Sequence, residues 1–351
     1  MIQDLAAGVA VAFLTSLVVC RAMIWIGPVD APTEERKQHR APTPTSGGIG
    51  IGAGYAAAMA VLLLFSVAWR YQVNAPAVSL LGASALLSYP LLLVGFIDDA
   101  RYLRARFKFV IYAVVAVAAA WLMGVVGELR VGGYTLSLPF AVGVAGTALW
   151  VFTLINAVNF MDGSNGIAMG SVAVGLVGAS LIAFVDGAVG AGACALCGAA
   201  ALAGFLVWNF PSGRLFAGDS GALFAGALAA FTCLILIEQA QMSVFVAPTL
   251  FFPLLADVLL TLLYRARRKQ FLLDGHAEHI YQIALHSGWS HARIAVVYWI
   301  AMALCGALAI WAARDPSHVA PAATLAGLAL LSIGVDFAVR RHAEARGLIK
   351  P

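Results

Sequence analysis

Apolar runs of about twenty residues recur along the whole chain, each ended by a short polar break, and this alternation predicts a stack of membrane-crossing helices. A hydrocarbon core about 30 Å thick is crossed by roughly twenty helical residues. Runs of that length extend from Leu5 to Ile26, Gly47 to Ala68, Ala77 to Ile97, Phe107 to Val126 and Leu136 to Ala157. Six more cover Gly166 to Val185, Ala188 to Trp208, Ser220 to Ile237, Ser243 to Tyr264, Ala292 to Ala313 and Val319 to Val339. The expected fold is therefore all-α, a polytopic bundle of eleven transmembrane helices forming one integral membrane domain over residues 1–351.

Composition agrees with the pattern and narrows the class. The chain is 62% hydrophobic and 11% charged, with mean hydropathy +0.92, which excludes an ordinary soluble domain. Charge then orients the helices, because short cytoplasmic loops retain Lys and Arg. With the amino terminus outside and the carboxyl terminus in the cytoplasm, only Arg70, Arg130 and Arg314 of the 21 basic residues fall outside. The net charge of +4 is thus explained by topology, with no need for a nucleic-acid partner. The first run has no small-residue cleavage site before its polar flank and is expected to stay as a helix. All five cysteines lie in apolar runs, and Cys194-x-x-Cys197 lacks the second pair or flanking His of a zinc site.

Polar chemistry concentrates in the inner breaks, near residues 27–46, 98–106, 157–165, 209–219 and 265–291, whereas the outer loops are expected to be short and plain. The first reads QHRAPTPTSGG. Its His39 and Arg40 can offer charge to a phosphate and its glycines permit close backbone approach, although a rigid lead into a helix explains the same residues. The second holds Asp98-Asp99 and downstream Lys108. Adjacent carboxylates at a membrane boundary repel each other unless a divalent cation or proton intervenes, and the competing reading is a solvated helix start with Asp near its positive end and the following Arg cluster serving topology.

The third break, NAVNFMDGSNG from Asn156 to Gly166, carries no Lys or Arg but is dense in amide and carboxylate oxygens, a donor set for a hard cation such as Mg2+. A plain Asn/Gly/Asp turn is its alternative. In the fourth, Asp219 precedes an apolar helix and either caps it or joins a metal shell, with Phe216 as a flat surface for a base. The fifth contains His276 and His279 in HAEHIYQ, a weak metal pair that suits hydrogen bonding to a diphosphate equally well. Asp257 lies inside an apolar run and is expected to face the bundle, and Asp336 is expected to pair with Arg340.

In order, HRAPTPTSGG, GFIDD with Lys108, NAVNFMDGSNG, FAGDSG and HAEHIYQ resemble the polyprenyl-phosphate N-acetylhexosamine-1-phosphate transferases, the O-antigen and capsule type in particular, relatives of the muramoyl-pentapeptide translocase. The resemblance spans roughly residues 38–282. It implies transfer of a sugar 1-phosphate from a UDP-N-acetylhexosamine to undecaprenyl phosphate, with release of UMP, at the cytoplasmic face of a bacterial inner membrane. It further implies Mg2+, replaceable by Mn2+, on Asn159 and Asp219, and catalytic roles for Asp98, Asp99 and Asp162. Substrate binding then falls to His39, Arg40, Lys108, Asn156, Asn165, Phe216, His276 and His279, with Phe216 on uracil and Asn165 at its edge. Many members form homodimers. Asn165 stands where bacterial relatives usually have a second Asp; an amide preserves a uracil contact and weakens any metal or base role there. A cation- or proton-coupled transporter is the alternative class, and its ionisable groups should lie near the midplane, where Asp257 is the candidate.

Overall fold

The computed structural model describes residues 2–30, 42–65, 75–271 and 277–349. Among them the long helices are α1 (Ile2–Ile26), α2 (Gly47–Phe65), α3 (Ala75–Ala100), α4 (Ala105–Met123), α5 (Phe140–Met161), α6 (Ile167–Val185), α7 (Val189–Asn209) and α8 (Gly218–Gln239). They continue as the short α9 (Val246–Leu250), then α10 (Phe252–Arg267), α11 (Ile280–His286), α12 (His291–Ala312) and α13 (Val319–Ala345). Such an all-helical bundle is what a bilayer demands, since each backbone polar group must be paired within its own segment.

Ten of these helices are long and apolar enough to cross a membrane, not the eleven expected. The difference lies in the Ser243 to Tyr264 run, which breaks into α9 and α10 at Phe251. Pro253 sits in the first turn of α10 and has no amide to return to the preceding turn, so one helix cannot run through. The connection between α4 and α5, one of those expected to be plain, is also less so. Two strands, β3 (Glu128–Val131) and β4 (Tyr134–Ser137), form an antiparallel hairpin, and the following helix starts at Phe140. Gly132 and Gly133 both have positive φ, 57° and 82°, the requirement of a two-residue turn between right-twisted strands.

The core is organised around α8. Its apolar window is 94% buried, while that of α13 has no buried residue, as expected of a lipid-facing helix. Small residues on α8 and its neighbours let backbones meet, because packing between membrane helices rests on close van der Waals contact. A Cβ on Gly226 would lie 2.9 Å from the Ile155 backbone, and one on Gly95 would lie 2.4 Å from the Ser220 amide. The second contact matters most for the site, since it presses the end of α3 against the start of α8.

Candidate active site

Four of the polar breaks meet around the first turn of α8. The first break joins it through backbone pairing: β1 (Val29–Asp30) pairs with β2 (Thr43–Pro44), and the chain beyond β2 runs along residues 216–217. The Phe216 amide donates to the Pro44 carbonyl at 2.8 Å, and the Gly47 and Gly48 amides donate to Phe216 and Ala217 carbonyls at 3.0 Å each. Phe216 is thereby fixed by its backbone while its ring stays partly exposed. His39, Arg40 and His276 lie outside the described residues.

Asp98 and Asp99, expected to act as a pair, diverge. Successive helical residues point about 100° apart, so neighbours in sequence face different partners. Asp99 turns to α8: its Oδ1 accepts the Asp219 amide at 2.9 Å, and its Oδ2 accepts the Ser220 amide at 3.2 Å and the Ser220 hydroxyl at 3.0 Å. It acts as an N-terminal cap of α8 supplied from another helix, and its oxygens meet the positive end of the helix dipole. Both Asp99 oxygens are thereby engaged in holding the start of α8 in place. Asp219 itself stands in the first turn of α8 and leaves the capping of these amides to Asp99.

Asp98 turns the other way. Its Oδ1 accepts the Leu103 amide, and its Oδ2 lies 2.7 Å from the Lys108 ammonium. The same ammonium lies 2.9 Å from Asp219 Oδ2, so one cation bridges two carboxylates. Asp219 Oδ1 accepts from Asn159 Nδ2 at 3.0 Å. The Asp219 side chain keeps about a quarter of its surface exposed, at 25%, against 8% for Asp98, which leaves it accessible from the open end of the cluster. Lys108 therefore has its charge already shared between two acids, and what it can do for an incoming phosphate passes through them.

Asp162 follows the last turn of α5. Among the described residues its carboxylate accepts no hydrogen bond, and it is partly exposed. Its carboxyl is pushed well above the usual carboxylate range, first by desolvation and then by the charges of Asp219 and Asp99. A desolvated acid without donors calls for a cation or a proton. The side chains of Asn159, Asp162 and Asp219 make an oxygen-rich group with one free carboxylate, and this fits a hard cation that keeps waters and completes its shell with substrate phosphates. Among the described residues no three His, Cys, Asp or Glu side chains are grouped as a metal cage, and a cation of that kind does not need one.

The amides of the third break divide. Asn156 is buried and donates to the Phe152 carbonyl of its own helix at 2.7 Å, which gives it a local role. Asn165 reaches the opposite loop, donating to the Pro211 carbonyl at 3.3 Å. Sequence reasoning passed over Asn209, a buried residue at the end of α7 that ties two breaks together. Its Oδ1 accepts the Gly166 amide at 2.7 Å and its Nδ2 donates to the Leu215 carbonyl at 2.9 Å. The only signal in the sequence was a polar side chain ending an apolar run just before a cluster of turn residues.

The fifth break reaches the third through Tyr281, whose hydroxyl donates to the Phe160 carbonyl at 3.2 Å and leaves no room for a Cβ at Gly163. His279 is buried, stacks on Tyr281, and places Nδ1 3.1 Å from Asp257 Oδ1. Asp257 also accepts the Ile280 and Tyr281 amides at 3.0 and 3.3 Å and the hydroxyls of Thr261 and Tyr298. It faces the bundle as expected, and it caps α11 from a distance just as Asp99 caps α8. Asp336 pairs with Arg340 at 2.8 Å, and Arg340 reaches on to the Glu278 carbonyl at 3.0 Å.

The family model described as glycosyl transferase family 4 matches residues 78–237, the stretch that carries Asp98, Lys108, Asn159, Asp162 and Asp219. A probable undecaprenyl-phosphate N-acetylglucosaminyl 1-phosphate transferase of Bacillus subtilis (strain 168) is 27% identical over 316 residues, covering 86% of this chain and 84% of that protein. Phospho-N-acetylmuramoyl-pentapeptide-transferases of Bacillus thuringiensis (strain Al Hakam) and Bacillus cereus (strain AH187) are each 28% identical over 289 residues, covering 78% of this chain and 85% of theirs. The family model spans the helices that carry the acids and the relatives align well beyond it at both ends, so over this stretch the chain is similar to glycosyl transferase family 4.

Proposed function

We propose that this protein transfers a sugar 1-phosphate, of the N-acetylhexosamine type, from a UDP-sugar to undecaprenyl phosphate and releases UMP. In this reaction an oxygen of the lipid phosphate attacks the sugar-bearing phosphorus, a lipid-linked diphosphate forms, and the bond to UMP breaks. The product is the starting unit of an O-antigen, capsule or wall polymer. The observation that carries the reading is the meeting of Asp98, Lys108, Asn159 and Asp219 at one end of a membrane bundle, within electrostatic reach of Asp162, whose carboxylate accepts no hydrogen bond among the described residues. The names of the aligned relatives support transfer of an N-acetylated sugar phosphate, and one of them names undecaprenyl phosphate. The positive-inside distribution of Lys and Arg supports a cytoplasmic placement for this end.

Phosphoryl transfer asks a protein chiefly for positioning and charge neutralisation. Asn159 and Asp219 would hold Mg2+, which when bound supplies positive charge to the diphosphate. Asp162, which accepts from no donor among the described residues, serves as the carboxylate that orients the attacking phosphate or takes its proton. Asp98 fixes Lys108, and Lys108 keeps Asp98 and Asp219 from repelling each other. Phe216 offers a ring to uracil and Asn165, across the loop from Pro211, an amide to its edge. The transporter alternative loses support because its candidate, Asp257, is fully occupied by internal donors. The test is release of UMP from a panel of UDP-sugars by membranes holding the protein, undecaprenyl phosphate and Mg2+. UMP with at least one N-acetylated sugar is expected, and none with any sugar would overturn the reading.

A further inference from the structure

Tyr112 lies one turn beyond Lys108 on α4, about 5.4 Å further into the membrane. The residue is 2% exposed, yet its hydroxyl finds no hydrogen-bond partner among the described residues. The ring is well held, with Phe109 at 6.2 Å edge-on, and Phe109 in turn rests on Phe152 at 5.9 Å. The hydroxyl is within electrostatic reach of Asp219, Lys108, Asp98 and Asp99, although none of them bonds to it. Buried tyrosine hydroxyls are almost always paired, because an unpaired one loses its hydration with no return. A firmly packed ring that aims a free donor at the edge of a phosphate-handling cluster is therefore built for a partner from outside the chain.

We infer that Tyr112 is a further substrate-positioning residue, whose hydroxyl donates a hydrogen bond to a phosphate oxygen of a substrate; the inference rests on the proposed transfer reaction. A neutral donor suits this place. It holds an anion without adding a second cation to compete with Lys108 for Asp98 and Asp219. Its depth favours the lipid phosphate, which arrives from the bilayer side with its chain still in hydrocarbon, over the nucleotide diphosphate, which arrives from water. Nothing in the polar breaks pointed to it, since Tyr112 sits inside an apolar run where an aromatic residue reads as core.

The test compares the full-length protein with Tyr112→Phe, which keeps the packed ring and removes only the hydroxyl. We expect KM for undecaprenyl phosphate to rise roughly 10-fold or more, with KM for the UDP-sugar within about 2-fold, as for loss of one hydrogen bond to a charged group. Without substrates, the melting temperature of the variant should equal or exceed that of the parent, because the lost hydroxyl had no partner. A rise confined to the UDP-sugar still supports a phosphate contact and assigns it to the diphosphate. Unchanged constants for both substrates overturn the inference, as does a lower melting temperature with a uniform fall in kcat, the mark of a structural role. If the parent protein forms no lipid-linked product from any UDP-sugar, the proposed reaction fails by itself. Thermal stabilisation by undecaprenyl phosphate and by inorganic pyrophosphate then decides: a shift in the parent that shrinks in Tyr112→Phe supports the contact, and equal or absent shifts overturn it.

Discussion

Asp257 and Asp162 are carboxylates on neighbouring parts of the same bundle, and their surroundings are opposite. Asp257 is 3% exposed and receives donors from His279, Ile280, Tyr281, Thr261 and Tyr298. Asp162 receives none among the described residues and feels the charges of two other acids. A carboxylate that spends every lone pair on its own chain holds structure together; one that keeps them free is held ready for a cation, a proton or a substrate. Asp99 falls on the structural side of this division and Asp219 between the two, since it is bridged by Lys108 yet open at one end.

The sharpest way to break this comparison is Asp219→Asn. Loss of the charge should reduce UMP release by roughly 1,000-fold, the scale of removing a principal electrostatic contact in a transferase site, while the melting temperature in detergent changes by only a few degrees. Turnover near that of the parent would remove Asp219 from the chemistry. Asp257→Asn should behave in reverse. It turns one of the two accepting oxygens into a donor, so either the Ile280 or the Tyr281 amide loses its acceptor, and breaking a buried, paired charge costs about 3–5 kcal/mol. Thermal unfolding and protease cleavage near residues 277–286 should both come earlier. A variant that keeps its stability but loses activity would move Asp257 into the reacting group.

A pH series separates the two classes by the direction of slope. Because desolvation raises the Asp162 pKa above its unfolded value, the folded chain holds that proton longer. The stability so gained is complete below the ordinary carboxylate pKa of about 4 and disappears as pH climbs through the raised value. Turnover runs the other way, since an ionised carboxylate is needed, so activity should rise over the range where stability falls. Asp162→Asn should flatten both slopes; an acid limb that persists unchanged in the variant would assign it elsewhere. The smallest effect is expected from Phe216→Ala, a roughly 10-fold higher KM for the UDP-sugar from loss of base stacking, and an equal rise for the lipid substrate would argue against stacking.

Much of the site could be read in advance because it occupies the breaks between apolar runs, and a charge at a membrane boundary is costly enough to stand out. Lys108, Asn159 and Asp219 converge as those breaks implied. The Asp98-Asp99 pair could not be read, since adjacency along a helix hides a 100° divergence in direction. Tyr112, Asn209 and Tyr298 were invisible for a different reason: each is one polar atom on a residue that otherwise completes an apolar or turn pattern. The broken run at Phe251 could have been anticipated from Pro248 and Pro253, whose missing amides outweigh an otherwise helical composition.

The amino-acid order by itself determined that this chain lives in a membrane as long helices, since only paired backbone is tolerated in hydrocarbon and only runs of this length cross it. It also determined where the polar chemistry lies along the chain. Only the tertiary structure decided which acid caps a helix, which is bridged by a lysine and which stands free. Those outcomes depend on the close approach of separate helices at glycines such as Gly95 and Gly48, where backbones touch and set the reach of each side chain.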